Sequence, residues 1–296
     1  MRIKVTIMKN ILTTACLFVV TIVAIVSFIA PTVFGQEKKK AIVKGAELLK
    51  SSQEGRQLAD FAQLDRMVLE ELKSSQTPGA AFAIVQGDRV IYAKGYGIAN
   101  IETGVPMTPD TIFRIGSITK MHTNAVLTML AEEGKLKLDV PIGTYVSGLS
   151  PRLSQTTAHQ LMSHTACLRF GEGVTHGPRD ESALAAYVKT ISDDDFFADP
   201  GIFSYSNIGV TVAGFLIEAI TGKPYADVMS ERLFRPLGMS RSTLRPTMAM
   251  TFPLSQSHVT WQEKVVVIRP FPENTRVWPA GKMFSSASDQ IGRAHV

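Results

Sequence analysis

The sequence predicts an α+β fold in which helices cover an antiparallel sheet. Two strand-like runs, at 80–85 and 90–93, precede a long series of helical patterns, an order typical of that class. The 296 residues are 45% hydrophobic and 19% charged, which suits a folded core and excludes a disordered chain. This length allows one large domain or two small ones.

The amino-terminal segment 1–35 has the residue order of an export signal. Three basic residues precede an uncharged apolar run at 11–30, and small residues up to Gly35 follow. An apolar run of this length can also span a bilayer, so an uncleaved membrane anchor is the alternative. In either case we expect a linker at 36–59 and an exported protein, periplasmic or secreted.

Charge and cysteine content exclude nucleic-acid binding, a disulfide scaffold and a thiolate zinc site. The formal net charge is +5, of which residues 1–35 carry +3, so the remainder carries only +2. Nucleic-acid binding needs a basic patch or stripe, and we expect no such partner. The two cysteines, Cys16 and Cys167, are too few for a disulfide scaffold or a thiolate zinc site.

The first predicted elements are a helix and a hairpin. Apolar residues at helical spacing predict a helix over 60–74. The runs 80–85 and 90–93 flank Gly87 and Asp88, residue types that suit a two-residue hairpin turn. We therefore predict an antiparallel pair of strands.

Helices dominate the rest of the chain. A loop at 107–110 leads through 111–115 into a helix over 117–133, which Gly134 ends. Further helices are predicted at 158–163, 182–190, 210–221 and 225–233.

Ser117 and Lys120 are the first candidates for catalysis. Residues three apart on a helix share a face, so the hydroxyl and the amine could meet. A lysine kept neutral by burial and nearby positive charge can take the proton of a serine nucleophile. The positive end of the helix dipole would also favour a developing anion there. On spacing alone, however, a helix-start serine beside a solvated lysine is the better explanation.

Tyr205 and Asn207 form a second candidate pair. A tyrosine beside a lysine can exist partly as phenolate and serve as base and then as acid. An asparagine amide can orient the lysine and a substrate carbonyl. Spacing alone fits a turn asparagine beside a packed tyrosine equally well.

Five segments, in order, resemble those of the serine β-lactamase-like hydrolases. They are Asp110–Lys120, Glu133–Asp139, Leu161–Thr165, Tyr205–Asn207 and Pro236–Met239. The resemblance covers roughly residues 60–289. It points to the branch of class C β-lactamases, DD-peptidases and family VIII esterases, because class A enzymes have Ser-Asp-Asn as the second motif.

The resemblance implies a β-lactamase/transpeptidase-like fold and a role for each candidate residue. Ser117 would be the acylated nucleophile, with its backbone N–H as one oxyanion donor, and Lys120 would be its proton partner. Tyr205 would be the general base and acid, and Asn207 would position the substrate. No metal or organic cofactor is implied.

Two further residues in the matching region are not expected to be catalytic. The resemblance implies that His164, in the family's His-Thr segment, is structural. Cys167 stands where the family sequence usually continues with Gly, and we interpret it as a small buried residue.

The family's third motif, Lys-Thr-Gly or His-x-Gly on a late strand, is not found. At 189–191 the Gly is replaced by Ile, and at 221–223 the order is reversed. Residues 291–296 also match the translation of a string resembling a sequencing adapter, so we expect a non-native tail after an incomplete domain at 60–290. A hairpin without neighbouring strands is marginal, so we expect this chain to be unstable and to have little or no activity.

Two functions remain open. The leading interpretation is an exported serine hydrolase that acts through an acyl-enzyme on a β-lactam, a D-Ala-D-Ala peptide or a small ester. The alternative is a non-catalytic, penicillin-binding-like sensor or binding module. The presence of Ser117, Lys120 and Tyr205 favours the hydrolase, whereas the missing third motif favours the sensor if the carboxyl end is genuine.

Overall fold

The computed structural model describes residues 61–87, 89–171 and 176–292. The predicted export signal or anchor at 1–35 and the linker at 36–59 lie outside the described residues. Within the described ranges, no helix has the length and apolar character needed to cross a membrane.

An antiparallel sheet of three strands, in the order β1-β2-β3, forms one layer. Its strands are β1 (Gly79–Gln86), β2 (Arg89–Asn100) and β3 (Val105–Pro106). Gln86 pairs with Arg89, so the hairpin has the predicted two-residue turn. The expectation that the hairpin would lack neighbours is wrong, because β3 adds a third strand and two helices pack on the sheet.

Those two helices lie at the ends of the described chain. They are α1 (Ala62–Ser74), which contacts β2, and α10 (Ala287–Gly292), which contacts β1 and β2. Asp65 of α1 accepts hydrogen bonds from Lys94 Nζ and from the Tyr96 hydroxyl of β2, each at 2.6 Å. Polar contacts therefore help to hold α1 on the sheet.

The core of the helical region surrounds α6 (Asn207–Thr221). Ten consecutive residues of α6, from Ile208 to Ile217, are buried, as expected of a helix that is apolar on all sides. The other helices are α2 (Thr119–Glu132), α3 (Pro151–Gln155), α4 (Ala158–Met162), α5 (Ala183–Val188), α7 (Tyr225–Met229), α8 (Pro246–Ala249) and α9 (Trp278–Gly281). Buried side chains of α2, α4, α6 and α7 share this core.

Capping explains why α6 begins earlier than predicted. The Ser206 hydroxyl accepts the backbone N–H of Gly209 at 3.1 Å, which satisfies one of the unpaired groups of the first turn. The helix ends at Gly222, whose φ of 67° is in the left-handed region that favours glycine. The helix predicted over 225–233 is divided into α7 and a π-helical turn at Ser230–Phe234.

Several short elements were not predicted. Besides β3, α3, α8 and α9, these include two antiparallel pairs of strands. The pairs are β4 (Phe113–Arg114) with β7 (Phe284–Ser285) and β5 (His258–Trp261) with β6 (Lys264–Val267). The pair of β4 and β7 is important for the site, because β4 leads directly to Ser117.

Candidate active site

Ser117 lies at the start of the helical segment that continues as α2. The sequence predicted one α-helix over 117–133, whereas the first turn, Gly116–Ile118, is a 3₁₀-helix. Gly116 has a φ of 55°, a backbone conformation that glycine adopts without steric cost. The first N–H groups of a helix have no acceptor within the helix, so the Ser117 N–H is suited to bind an anion.

Lys120 is buried beside the serine, with only 6% of its surface exposed. Its Nζ donates hydrogen bonds to Ser117 Oγ at 3.1 Å and to the carbonyl oxygen of Ala280 at 2.5 Å. Burial lowers the pKa of Lys120, and the adjacent Tyr205 opposes part of that change. The surroundings therefore favour the neutral amine more than water would.

Tyr205 reaches the same serine from a separate part of the chain. Its hydroxyl donates to Ser117 Oγ at 2.6 Å, and the Lys120 Nζ lies 4.8 Å from the centroid of its ring. The structure thus brings the Lys120 amine and the Tyr205 hydroxyl within hydrogen-bonding distance of Ser117 Oγ.

Asn207 follows Tyr205 by two residues but is not part of that hydrogen-bonded group. It is the first residue of α6, and its backbone N–H donates to the Phe170 carbonyl at 2.8 Å. In the described ranges, no hydrogen bond links its side chain to Ser117, Lys120 or Tyr205.

The segment 278–285 holds the other side of the site, and the sequence analysis missed it. Besides the contact of Ala280 with Lys120, the Pro279 carbonyl accepts a hydrogen bond from Thr123 Oγ1 at 2.8 Å. Met283 N–H donates to Thr119 Oγ1 at 3.3 Å. These acceptors are mostly backbone carbonyls, which every residue has, so no residue-type signal could have revealed them.

Arg114 of β4 contacts the segment 278–285 and the residues that precede it. Its guanidinium carbon lies 5.4 Å from the ring centroid of Phe271 and 4.3 Å from that of Phe284. It forms an ion pair with the buried Glu273 and donates to the Lys282 carbonyl at 2.7 Å. Burial lowers the pKa of Arg114, whereas Glu273 raises it. The hydrogen bond to Lys282 thus links β4 to the segment 278–285, and the ion pair links β4 to Glu273, which precedes that segment.

Cys167 is buried, as interpreted from the sequence, and its backbone has a φ of 57°. That value is unusual for a residue other than glycine. The thiol donates to the Asp199 carbonyl at 2.9 Å, which ties this turn to the loop that leads to Tyr205. Over 61–87, 89–171 and 176–292, no group of three or more His, Cys, Asp or Glu side chains is arranged to hold a metal ion.

Comparison with known proteins extends these findings. A family model described as Beta-lactamase matches residues 64–291. The chain is 29% identical over 233 residues to Penicillin-binding protein 4 of Amycolatopsis lactamdurans, covering 74% of this chain and 59% of that protein. It is 27% identical over 195 residues to Esterase EstB of Burkholderia gladioli, covering 60% of this chain and 50% of the esterase. The chain therefore spans less than two thirds of each of these relatives.

A solved structure gives a similar result. The structure described as D-alanine carboxypeptidase AmpC from Burkholderia cenocepacia matches with a TM-score of 0.62 and 28% identity. The match covers 78% of this chain and 62% of that one. The predicted α+β, β-lactamase/transpeptidase-like fold is confirmed by this similarity and by the family model.

Proposed function

Because the chain belongs to the β-lactamase family of hydrolases, we propose that it is a serine hydrolase that forms an acyl-enzyme on Ser117. One observation carries the proposal: Ser117 Oγ lies 3.1 Å from Lys120 Nζ and 2.6 Å from the Tyr205 hydroxyl. A serine between a buried amine and a phenol has two neighbours able to move its proton.

Acylation transfers one proton while one bond forms and another breaks. Ser117 Oγ attacks the substrate carbonyl carbon, and the serine proton moves to the neutral Lys120 amine or to a Tyr205 phenolate. The Tyr205 hydroxyl then protonates the leaving amine or alcohol as its bond to the carbonyl breaks. Where Lys120 took the serine proton, Lys120 passes that proton to the Tyr205 phenolate, so both groups return to their starting state. In deacylation, water attacks the ester carbonyl, gives a proton to the Lys120–Tyr205 pair, and Ser117 Oγ is protonated as it leaves.

The same residues would stabilise the charge that develops on the carbonyl oxygen. The Ser117 N–H, in the first turn of its helical segment, would be one oxyanion donor. Asn207, two residues after Tyr205, would position the substrate through its side-chain amide. We assign no second oxyanion donor, and the low activity expected from the sequence remains a prediction.

The substrate proposal follows from the similar proteins. One is named as a penicillin-binding protein, one as an esterase and one as a D-alanine carboxypeptidase. We therefore propose a β-lactam, a D-Ala-D-Ala peptide of peptidoglycan or a small ester as substrate. Export through residues 1–35, to the periplasm or the exterior, is part of the same proposal.

Covalent labelling tests the mechanism. The full chain is incubated with a fluorescent penicillin and, separately, with an activated ester, and the labelled peptide is identified by mass spectrometry. We expect label on Ser117, with slow but detectable turnover of at least one reagent because low activity is expected, and no label on the Ser117→Ala variant. Ser74→Ala, on α1, is the matched control and should be labelled like the wild type.

Two other outcomes would count against the hydrolase. Label on Ser117 that is never released would support the alternative, a penicillin-binding sensor. If neither reagent reacts with the wild type, or if Ser117→Ala is labelled as strongly as the wild type, the proposed nucleophile is wrong.

A further inference from the structure

His164 is hydrogen-bonded to the residues on both sides of Tyr205. Its backbone carbonyl accepts the N–H of Ser204 at 2.8 Å, and its ring nitrogen Nδ1 accepts the N–H of Ser206 at 3.2 Å. Between these two bonds, the imidazole lies against the phenol, with ring centroids 4.6 Å apart and planes inclined by 33°. A single residue therefore fixes the backbone before and after Tyr205 and one face of its ring.

The backbone of His164 is itself in an unusual conformation. Its φ is 59°, in the left-handed region, which costs a non-glycine residue about 1–2 kcal/mol. Such a conformation persists only where the surroundings determine it, and it is concentrated at functional sites. Here it accompanies hydrogen bonds that the carbonyl and the ring of His164 accept from the segment that carries Tyr205.

The hydrogen bond to Ser206 requires a neutral imidazole. Nδ1 can accept a hydrogen bond only when it carries no proton, so the proton of the neutral ring is on Nε2. Burial lowers the pKa of His164, and Lys120 lowers it further whenever its amine is protonated, which favours that form. The ionisable side chains near the ring are those of Lys120 on α2 and of Tyr205, and no carboxylate contributes to the change in the pKa of His164.

We propose that His164 is a positioning residue for acylation, which holds Tyr205 where its hydroxyl reaches Ser117 Oγ. This inference rests on the proposed function, because it assigns a role relative to that reaction. The proposal predicts that the acylation rate depends on a hydrogen-bond acceptor at the position of Nδ1, because that atom accepts the backbone N–H of Ser206.

Two substitutions separate the acceptor from the backbone conformation. Asn and Gly both tolerate a positive φ, so neither His164→Asn nor His164→Gly adds backbone strain. The Oδ1 of Asn can replace Nδ1 as an acceptor, whereas Gly offers none. The pair therefore differs mainly in the hydrogen bond to Ser206.

The experiment measures acylation of the full chain by an activated ester at pH 7.5. Stopped-flow kinetics separate the acylation rate constant from substrate affinity, and urea denaturation measures the stability of each variant. We expect His164→Asn to acylate within about tenfold of the wild type. His164→Gly should lose roughly 10²-fold in the rate constant, with little change in affinity, because a displacement of about 1 Å at a reacting group has that effect.

The positioning role is overturned if His164→Gly acylates as fast as His164→Asn when both are folded. It is also overturned if both variants lose rate equally, because the acceptor would then not matter. If His164→Gly does not fold, His164→Asn decides: a loss of more than about tenfold from a stably folded protein contradicts the role. Ser117→Ala and Tyr205→Phe are measured in parallel. If these two acylate normally, the proposed function itself fails.

Discussion

Gly214 offers a test of how packing sets the position of the amine at the site. It lies in the middle of α6, against Pro279 of α9, where an added Cβ would be 2.1 Å from Pro279 Cγ and 2.4 Å from its Cβ. Carbon atoms in contact are normally about 3.5–4.0 Å apart. Gly214→Ala therefore forces α6 and α9 apart by more than about 1 Å, because the ring of proline cannot move aside as a flexible side chain would.

That displacement acts directly on the candidate site. The Pro279 carbonyl is bonded to Thr123, and the carbonyl of the next residue, Ala280, accepts the hydrogen bond of Lys120 Nζ. Overpacking costs about 1–3 kcal/mol, and the better helix propensity of Ala returns about 1 kcal/mol. We expect Gly214→Ala to lower the free energy of unfolding by about 0–2 kcal/mol and the acylation rate by up to about 10²-fold.

Gly209, in the same helix, is the matched control. An added Cβ there would be 3.4 Å from the Leu161 carbonyl oxygen and 3.8 Å from Ser206 Cβ, both ordinary contacts. Gly209→Ala should raise the free energy of unfolding by up to about 1 kcal/mol and leave acylation unchanged. Urea denaturation and stopped-flow acylation measure the two effects. If Gly214→Ala has the same free energy of unfolding and the same acylation rate as Gly209→Ala, the contact with Pro279 does not position the Lys120 amine.

Three further predictions concern the charges and the backbone around the site. Lys120→Met should reduce the acylation rate by about 10²–10⁴-fold. Acylation of the wild type should rise with pH, because the neutral amine accumulates above a pKa that burial has lowered, and Lys120→Met should abolish that rise. An acylation rate of Lys120→Met within tenfold of the wild type would remove Lys120 from the mechanism. Arg114→Ala leaves the buried Glu273 without its ion-pair partner and should cost about 3–5 kcal/mol in urea denaturation. Adding Glu273→Gln should recover part of that loss, and no recovery would contradict the ion-pair explanation. Cys167→Gly should be more stable than Cys167→Ala by about 1–2 kcal/mol in urea denaturation, because Gly, unlike Ala, accepts the φ of 57° without strain. Equal stability of the two variants would show that this turn is unstrained.

Local sequence patterns predicted the elements that local interactions determine. The hairpin of β1 and β2 follows from its turn residues, and α2 follows from the spacing of its apolar residues. Resemblance to a family supplied Ser117, Lys120 and Tyr205, and the structure places the three together. Their chemical roles are still proposals, since proximity alone does not demonstrate catalysis.

Long-range contacts account for what the sequence did not predict. The pair of β4 and β7 has two residues in each strand, too few for a periodic pattern, and joins residues about 170 positions apart. The strand β3 is equally short, which explains the wrong expectation that the hairpin would have no neighbour. The 3₁₀ turn at Ser117 depends on how Gly116 joins β4 to α2, and residue preferences alone do not distinguish it from an α-helical turn.

Burial excludes the solvated lysine, one of the two interpretations that the spacing of Lys120 from Ser117 left open. A solvated lysine would have a pKa near 10.4 and would be protonated at neutral pH, unable to accept a proton. In the described part of the chain Lys120 is 6% exposed, has no carboxylate partner and donates to Ser117 Oγ and the Ala280 carbonyl. A neutral amine has two N–H groups for those acceptors and keeps a lone pair for a proton. Burial of the amine therefore depends on the segment that carries Ala280, 160 residues further along the chain, and the role of Lys120 as a base remains a proposal.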